Sequence, residues 1–227
     1  MCGRYSLAAS EEELVEAFDI PGLTFDYFAR YNIGPGQAAP IVAEDKRGRR
    51  MGLVDWGFAP AWMDDPGTGF VNARAESVAT KASFRKAFAR RRCLVPADGF
   101  YEWSRDKTPF WIYPSRAGVL SFAGVWEAWR RPGAEVRYTF AIITTAANAD
   151  VKDIHDRMPV VVAGPDRDTW LDRASDRKRL SALLGPAPDG TFASHAVSTR
   201  VNHTAEDDAG LISSLAPLAP SPTDASP

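Results

Sequence analysis

The chain opens MCGRYS, and the residue directly after the initiator methionine is Cys2. Removal of Met1, usual when the next residue is small, would leave a thiol and a free α-amino group on neighbouring carbons. Such a 1,2-aminothiol completes a reaction that neither group performs alone. The amine condenses with an aldehyde to an imine, and the thiolate closes onto the imine carbon to give a five-membered thiazolidine. An α-amino group titrates near 7.7–8.0, so a useful fraction is neutral at physiological pH. Gly3 leaves room for an approaching substrate, and Arg4 is suited to a phosphate.

Imine formation needs groups that move protons. Two acid–base candidates stand in unusual settings. Glu102 lies in GFYEW, where strand alternation places it opposite Tyr101 and Trp103. It is an ordinary solvent-facing carboxylate if those aromatics face the core, and a raised-pKa group if the strand lines a pocket. His155 lies in VKDIHDRMP between Asp153 and Asp156, with Arg157 beside it, and histidine is the side chain that titrates near neutrality unaided. Asn72 and Arg74, in FVNARAES, form a polar interruption suited to a turn or to a substrate-orienting amide. Trp62, in WGFAPAWMDD, could stack an unpaired base, although most tryptophans are core residues.

The elements that must position these groups follow from local pattern. Ser10 to Glu13 has the layout of a capping box, followed by a two- to three-turn helix with Leu14, Val15 and Phe18 on one face. YNIGPGQ has loop chemistry, with Gly34-Pro35-Gly36 as its turn. APIVAED and RRMGLVDWGF flank Lys46-Arg47-Gly48 as a hairpin. Thr80 is placed to cap a basic helix whose Phe84, Ala87 and Phe88 face inward. From Cys93 to Thr145 the runs are β-rich and joined by short turns, so antiparallel or mixed pairing is expected rather than βαβ crossovers. VVVAG and HAVST add strands, with TWLDR and SALL as short helices between them. The expected fold is a single α+β domain, residues 2–203, with a curved sheet or barrel and peripheral short helices. Residues 204–227, ending in APLAPSPTDASP, have the composition of a disordered tail.

Bulk composition excludes several classes. In 227 residues no apolar run approaches the roughly 18 needed to cross a bilayer, and the N-terminus lacks the layout of a secretory signal, so an intracellular, cytoplasmic protein is expected. Two cysteines, Cys2 and Cys93, and three histidines offer neither a disulfide framework nor a metal-ligand spacing. No metal, cofactor or membrane partner is expected, and a monomer is the default. The net charge of −2 argues against indiscriminate nucleic-acid binding. The charge is nevertheless uneven: Arg74, Lys81, Arg85, Lys86, Arg90, Arg91 and Arg92 face one acid, Glu76, in their segment. That pattern fits a local basic face or a merely solvated helix.

MCGRYS, YNIGPGQ, WGFAPAW, NARAES, ADGFYEW and IHDRMPVVV occur here in the order seen in the SRAP (SOS-response-associated peptidase) family, which the chain resembles from Cys2 to about residue 202. The resemblance implies a mixed α/β fold with a distorted central barrel and a function in shielding abasic sites in single-stranded DNA, with nucleoid association when bound. It implies that Cys2 traps the ring-opened deoxyribose aldehyde as a thiazolidine DNA–protein crosslink. Asn72 would orient the sugar or the amine, and Glu102 would be the acid–base group near the amine. His155 would assist ring opening and the lyase-like elimination and reversal chemistry. Arg4, Arg74 and Arg157 would hold phosphates, while Pro35, Trp62 and Thr145 would line the strand path. The family pattern has two consecutive tryptophans where this chain has Trp62-Met63, so Met63 would wedge against a base rather than stack. The loop from Asp64 to Gly69 also looks slightly longer. The peptidase label implies removal of the protein's own Met1, not general proteolysis. Two other readings remain: an N-terminal-nucleophile amidohydrolase, which would leave the later motifs idle, and a non-covalent reader of single-stranded or modified DNA.

Overall fold

Short apolar runs separated by turns and loops give most of this chain its strands. The computed structural model describes residues 2–64, 67, 69–131, 133 and 135–215. In chain order the first elements are β1 (Tyr5–Leu7), α1 (Glu11–Phe18), β2 (Arg30–Ile33), β3 (Ala38–Asp45) and β4 (Gly48–Trp56). β5 (Asn72–Arg74), α2 (Ala75–Val78), α3 (Arg85–Arg90), β6 (Arg92–Ala97) and β7 (Gly99–Trp103) follow. Then come β8 (Pro109–Pro114), β9 (Leu120–Trp129), β10 (Arg137–Ala146) and β11 (Arg157–Pro159). The last elements are α4 (Asp166–Leu171), α5 (Arg177–Ala182), β12 (Phe192–Ala196) and two 3₁₀ turns, Thr199–Asn202 and Ala209–Ile212.

Five strands close on themselves: β3 pairs with β4 and β6, β6 with β9, β9 with β10, and β10 with β4. The ring is distorted because two of its seams are short. β10 meets β4 in parallel over two residue pairs, and β3 meets β6 only at Val42↔Leu94. β5 lies parallel to β10 beyond the end of β4, and β11 folds back on β10. The second sheet, in the order β12-β8-β7-β1-β2, is antiparallel throughout. Aromatic edges join the two sheets: Tyr5 meets Trp56 at 5.2 Å and Phe122 at 6.2 Å, and Phe100 meets Phe122 at 5.9 Å. Each such contact adds about 0.5–1.5 kcal/mol beyond area burial. The α+β class is thus as the pattern implied and the distorted barrel as the resemblance implied, and strand pairing is mixed.

The capping box forms as expected: Ser10 accepts from the Glu13 amide and Glu13 from the Ser10 amide. The β3–β4 hairpin turns at Lys46-Arg47, and Gly48 takes the left-handed φ of 98° that such a turn demands. Other expectations need correction. Tyr31–Ile33 of YNIGPGQ is not loop but strand β2, because β1 supplies an edge for it. Thr80 does not cap the basic helix: its hydroxyl donates to the Ser77 carbonyl, and Phe84 stands at the N-cap of α3. Phe84, Ala87 and Phe88 are nevertheless buried. Of VVVAG only a bridge forms, Val161 against Phe122.

The segment 204–215, expected within a disordered tail, is folded onto the body. Asp207 accepts from the Tyr31 and Asn32 amides and pairs with Arg30, while Leu211 is fully buried with Tyr101, Val197 and Val201. Composition hid this because the acids that look like solubilising charge each have a specific partner: Arg200 holds Glu206 and Asp208. The Pro/Ala-rich residues 216–227 lie outside the described residues, as do parts of the 64–69 loop.

Candidate active site

Strand β1 enters antiparallel to β7, with Tyr5 opposite Phe100, and the Tyr101 amide donates to the Arg4 carbonyl at 2.9 Å. Continued by two residues, this register carries the N-terminal segment past Glu102. The Cys2 carbonyl accepts from Asn72 Nδ2 at 2.8 Å, which ties the segment to β5. Asn72 Oδ1 is buried and has no hydrogen-bond partner among the described residues, so a further donor can be received there. Cys2 is fully buried. Burial pushes its thiol well above the usual range, and the nearby Glu102 carboxylate raises it further.

Glu102 is 2% exposed, and burial lifts its pKa to about 7. β7 is covered on both faces. Tyr101 packs against the C-terminal segment and donates to the Tyr31 carbonyl at 2.7 Å; Trp103 donates to Asn202 at 2.8 Å. Glu102 therefore points into the opposite side, toward Cys2 and His155. Its Oε2 lies 3.8 Å from His155 Nε2.

His155 ends a tight turn in which its amide donates to the Val151 carbonyl at 2.9 Å. The Arg157 amide donates to its Nδ1 at 3.0 Å. Asp156 Oδ1 also lies 3.1 Å from Nδ1, a contact that would call for a proton there. The amide decides the tautomer, because it is fixed by the backbone while the Asp156 side chain is 88% exposed and can turn into water. The neutral ring then carries its proton on Nε2, facing Glu102. Burial holds the His155 pKa below its ordinary value, so the ring is neutral at pH 7. Beside it opens a cavity of about 730 Å3 lined by Trp103, Arg105, Lys152, His155 and Asp156 among others.

Cys2, Asn72, Glu102 and His155 are thus brought together from the segment before β1, from β5, from β7 and from the turn before β11. The remaining candidates divide. Arg74 is exposed at the end of β5, and Trp62 is 61% exposed on the loop after β4. That loop is pinned from below: Trp129 Nε1 donates to the Met63 carbonyl at 2.8 Å, and Arg131 reaches the same oxygen. Pro35 is half-buried in the β2–β3 turn, and Thr145 is buried on β10 opposite Met158. Arg4 and Arg157 are engaged by the protein. Arg4 binds Asn32 Oδ1 at 2.7 Å and the Val201 carbonyl at 2.6 Å; Arg157 grips Glu76 at 2.5 and 3.0 Å and the Thr144 carbonyl at 2.6 Å. The sequence reading missed Glu76 as the partner of Arg157, although it sits inside NARAES. It also missed Asn32, which draws the C-terminal segment in through the Val201, His203 and Glu206 carbonyls. Among the described residues no group of three metal-ligating side chains occurs, and no helix is long and apolar enough to cross a membrane.

A family model described as SOS response associated peptidase (SRAP) matches residues 1–204. Abasic site processing protein YoqW of Bacillus subtilis is 36% identical over 223 residues, covering 94% of this chain and all of the relative. Abasic site processing protein YedK of Escherichia coli is 31% identical over 223 residues, covering 93% and 99%. Abasic site processing protein HMCES of Gallus gallus is 33% identical over 80% of this chain and 65% of its own length. Among solved structures, a protein from Bacteroides thetaiotaomicron superimposes with a TM-score of 0.81 at 22% identity, covering 94% of this chain and 99% of that one, a likeness of fold.

Proposed function

The chain belongs to the SRAP family, and from that premise we propose that it processes abasic sites in DNA by trapping them covalently through Cys2. The observation that carries this reading is the convergence of the Cys2 segment, the buried Glu102 and His155 on one another. The relatives named above are abasic site processing proteins, which supports DNA with abasic sites as the substrate class.

In the proposed sequence Met1 is removed, which frees the Cys2 nitrogen from its peptide bond. Asn72 receives the new amine at its buried Oδ1. The neutral amine attacks the C1′ aldehyde of the ring-opened deoxyribose, and a proton moves from nitrogen to oxygen to give a carbinolamine. Protonated Glu102 donates to the departing hydroxyl, which leaves as water, and an iminium remains. The Cys2 thiol then adds to the iminium carbon and returns its proton to the Glu102 carboxylate. One aldehyde and one aminothiol thus become one thiazolidine and one water. A carboxyl with a pKa near 7 suits both halves of this cycle, since both of its forms are populated at neutral pH. The buried thiol stays protonated until the electrophile is in place, so the proton must leave as the C–S bond forms.

In ring opening, protonated Glu102 gives a proton to the sugar ring oxygen and its carboxylate takes one from the anomeric hydroxyl, while His155 keeps its Nε2 proton and hydrogen-bonds the sugar oxygen on which charge develops. The same exchange serves reversal. The exposed Trp62 supports a single-stranded substrate, because a base must be unpaired to stack on it. Arg74 is the phosphate-binding candidate left exposed, whereas Arg157 would have to release Glu76 to act so. The test is denaturing electrophoresis of the protein with a single-stranded abasic oligonucleotide. A shifted band absent in Cys2→Ser supports the reading, and an equal band or no band in both proteins contradicts it.

A further inference from the structure

The basic run noted in the sequence is not absorbed by the site above. α3 and α5, 87 residues apart at their ends nearest in sequence, wall a groove of about 680 Å3 whose lining includes Arg85, Lys86, Arg90, Arg91 and Arg177 and no acid. Lys178 and Arg179 continue the charge along exposed α5. Arg91 is neutralised by Glu127, but Arg85, Lys86, Arg90 and Arg177 are exposed cations. Of the two acids that precede α5, Asp176 caps the helix by accepting from the Arg179 amide, and Asp172 accepts from the Ala174 amide.

A protein of net charge −2 does not collect like charges in a concavity by default, and their mutual repulsion is a cost that a polyanion would relieve. Arginine predominates, and its planar fork matches phosphate oxygens two at a time. The groove is also joined to the lesion site. α2 starts from Arg74 and carries Glu76, the partner of Arg157, while Ala79 at its other end forms part of the groove wall. From Arg74 to Ala79 this one-turn helix rises about 8 Å, so a DNA strand lying over Arg74 needs only a short further length to reach the groove.

We infer that this α3–α5 groove is a second DNA-contact surface, which holds the phosphodiester backbone a few nucleotides beyond the abasic site and reads no sequence. The inference rests on the proposed DNA function but is tested apart from it. Binding of a long oligonucleotide, extending about ten nucleotides on each side of the lesion, is compared with that of a short one extending about two. The proteins are wild type, a combined Arg85→Gln, Lys86→Gln, Arg90→Gln variant, and Arg177→Gln on the opposite wall. All four side chains are exposed, so the fold should persist. With the long oligonucleotide, the slope of log affinity against log salt should be shallower by about 2 in the triple variant and by about 0.7 in Arg177→Gln. From about 50 to about 200 mM salt the triple variant should therefore lose about sixteen-fold less affinity than wild type. With the short oligonucleotide the slopes should agree. Equal slopes on the long oligonucleotide, or the same loss on the short one, overturn the inference. Undamaged long DNA gives the same comparison without the lesion, so a failure to form any Cys2 adduct would sink the trapping chemistry and leave this result standing on its own.

Discussion

Glu102 Oε2 and His155 Nε2 lie 3.8 Å apart, with the other ring nitrogen of His155 held by the Arg157 amide. A carboxyl that exchanges its proton near neutrality therefore faces a neutral imidazole beside Cys2, and it gives the site a pH profile. In the proposed chemistry the amine must be neutral and Glu102 protonated. Below the amine pKa of about 7.7–8.0 the rate falls as the amine charges, and above the Glu102 pKa of about 7 it falls as the acid is lost. The adduct-forming rate should be bell-shaped with its maximum between these values. In Glu102→Gln the alkaline limb should vanish and the rate should drop by about 10²–10⁴, with DNA affinity little changed. Single-turnover rates across pH decide this.

Glu102 also makes stability depend on pH, in the sense opposite to a salt-bridged carboxylate. Its folded pKa is raised, so the folded protein holds the proton more tightly than the unfolded chain. This stabilisation is fully present below the unfolded value of about 4.5 and is lost as pH rises through about 7. Glu102→Gln should therefore gain on wild type as pH increases, by an amount on the order of 2–3 kcal/mol between pH 5 and pH 8. Urea denaturation at the two pH values measures the gap, and a gap that does not widen contradicts the buried carboxylate.

Asn72 donates to the Cys2 carbonyl. Asn72→Asp replaces that donor with an acceptor and sets a carboxylate against a carbonyl oxygen, whereas Asn72→Ala only deletes the bond. Asn72→Ala should cost about 1 kcal/mol in stability, and Asn72→Asp should slow adduct formation more than Asn72→Ala does. Melting curves and adduct time courses on the same preparations separate the two effects.

Trp62 projects from a loop fastened through the Met63 carbonyl. Trp62→Ala should weaken single-stranded DNA binding by about 1–3 kcal/mol, the worth of one stacked base, with little change in melting temperature. Fluorescence anisotropy at fixed salt gives the first number and calorimetry the second.

The C-terminal segment is structural. A chain ending at residue 203 loses the Asp207 hydrogen bonds to Tyr31 and Asn32 and the burial of Leu211. Leu211 alone is worth about 2 kcal/mol. The shortened chain should unfold at distinctly lower urea than the full-length protein.

Local signals were legible where one interaction decides the outcome. The Ser10–Glu13 box and the Lys46-Arg47-Gly48 turn are set by neighbours in sequence, and both formed as expected. Glu102 was undecidable from alternation, because that argument assumes one dry face and one wet face, while β7 is buried on both. Arg4 and Arg157 were assigned to phosphates through resemblance, yet their guanidinium groups are taken up by partners 28 and 81 residues away, which no local pattern can reveal. The tail boundary failed for the same reason, since Asp207 matters through β2, far earlier in the chain.

The most direct test of the central claim is the intact mass of the purified protein before and after mixing with a single-stranded oligonucleotide that carries one abasic site. Loss of Met1 is predicted, with a denaturation-resistant species at the sum of protein and oligonucleotide less one water, absent in Cys2→Ser. Retention of Met1, or an equally stable adduct in Cys2→Ser, would contradict the aminothiol trap.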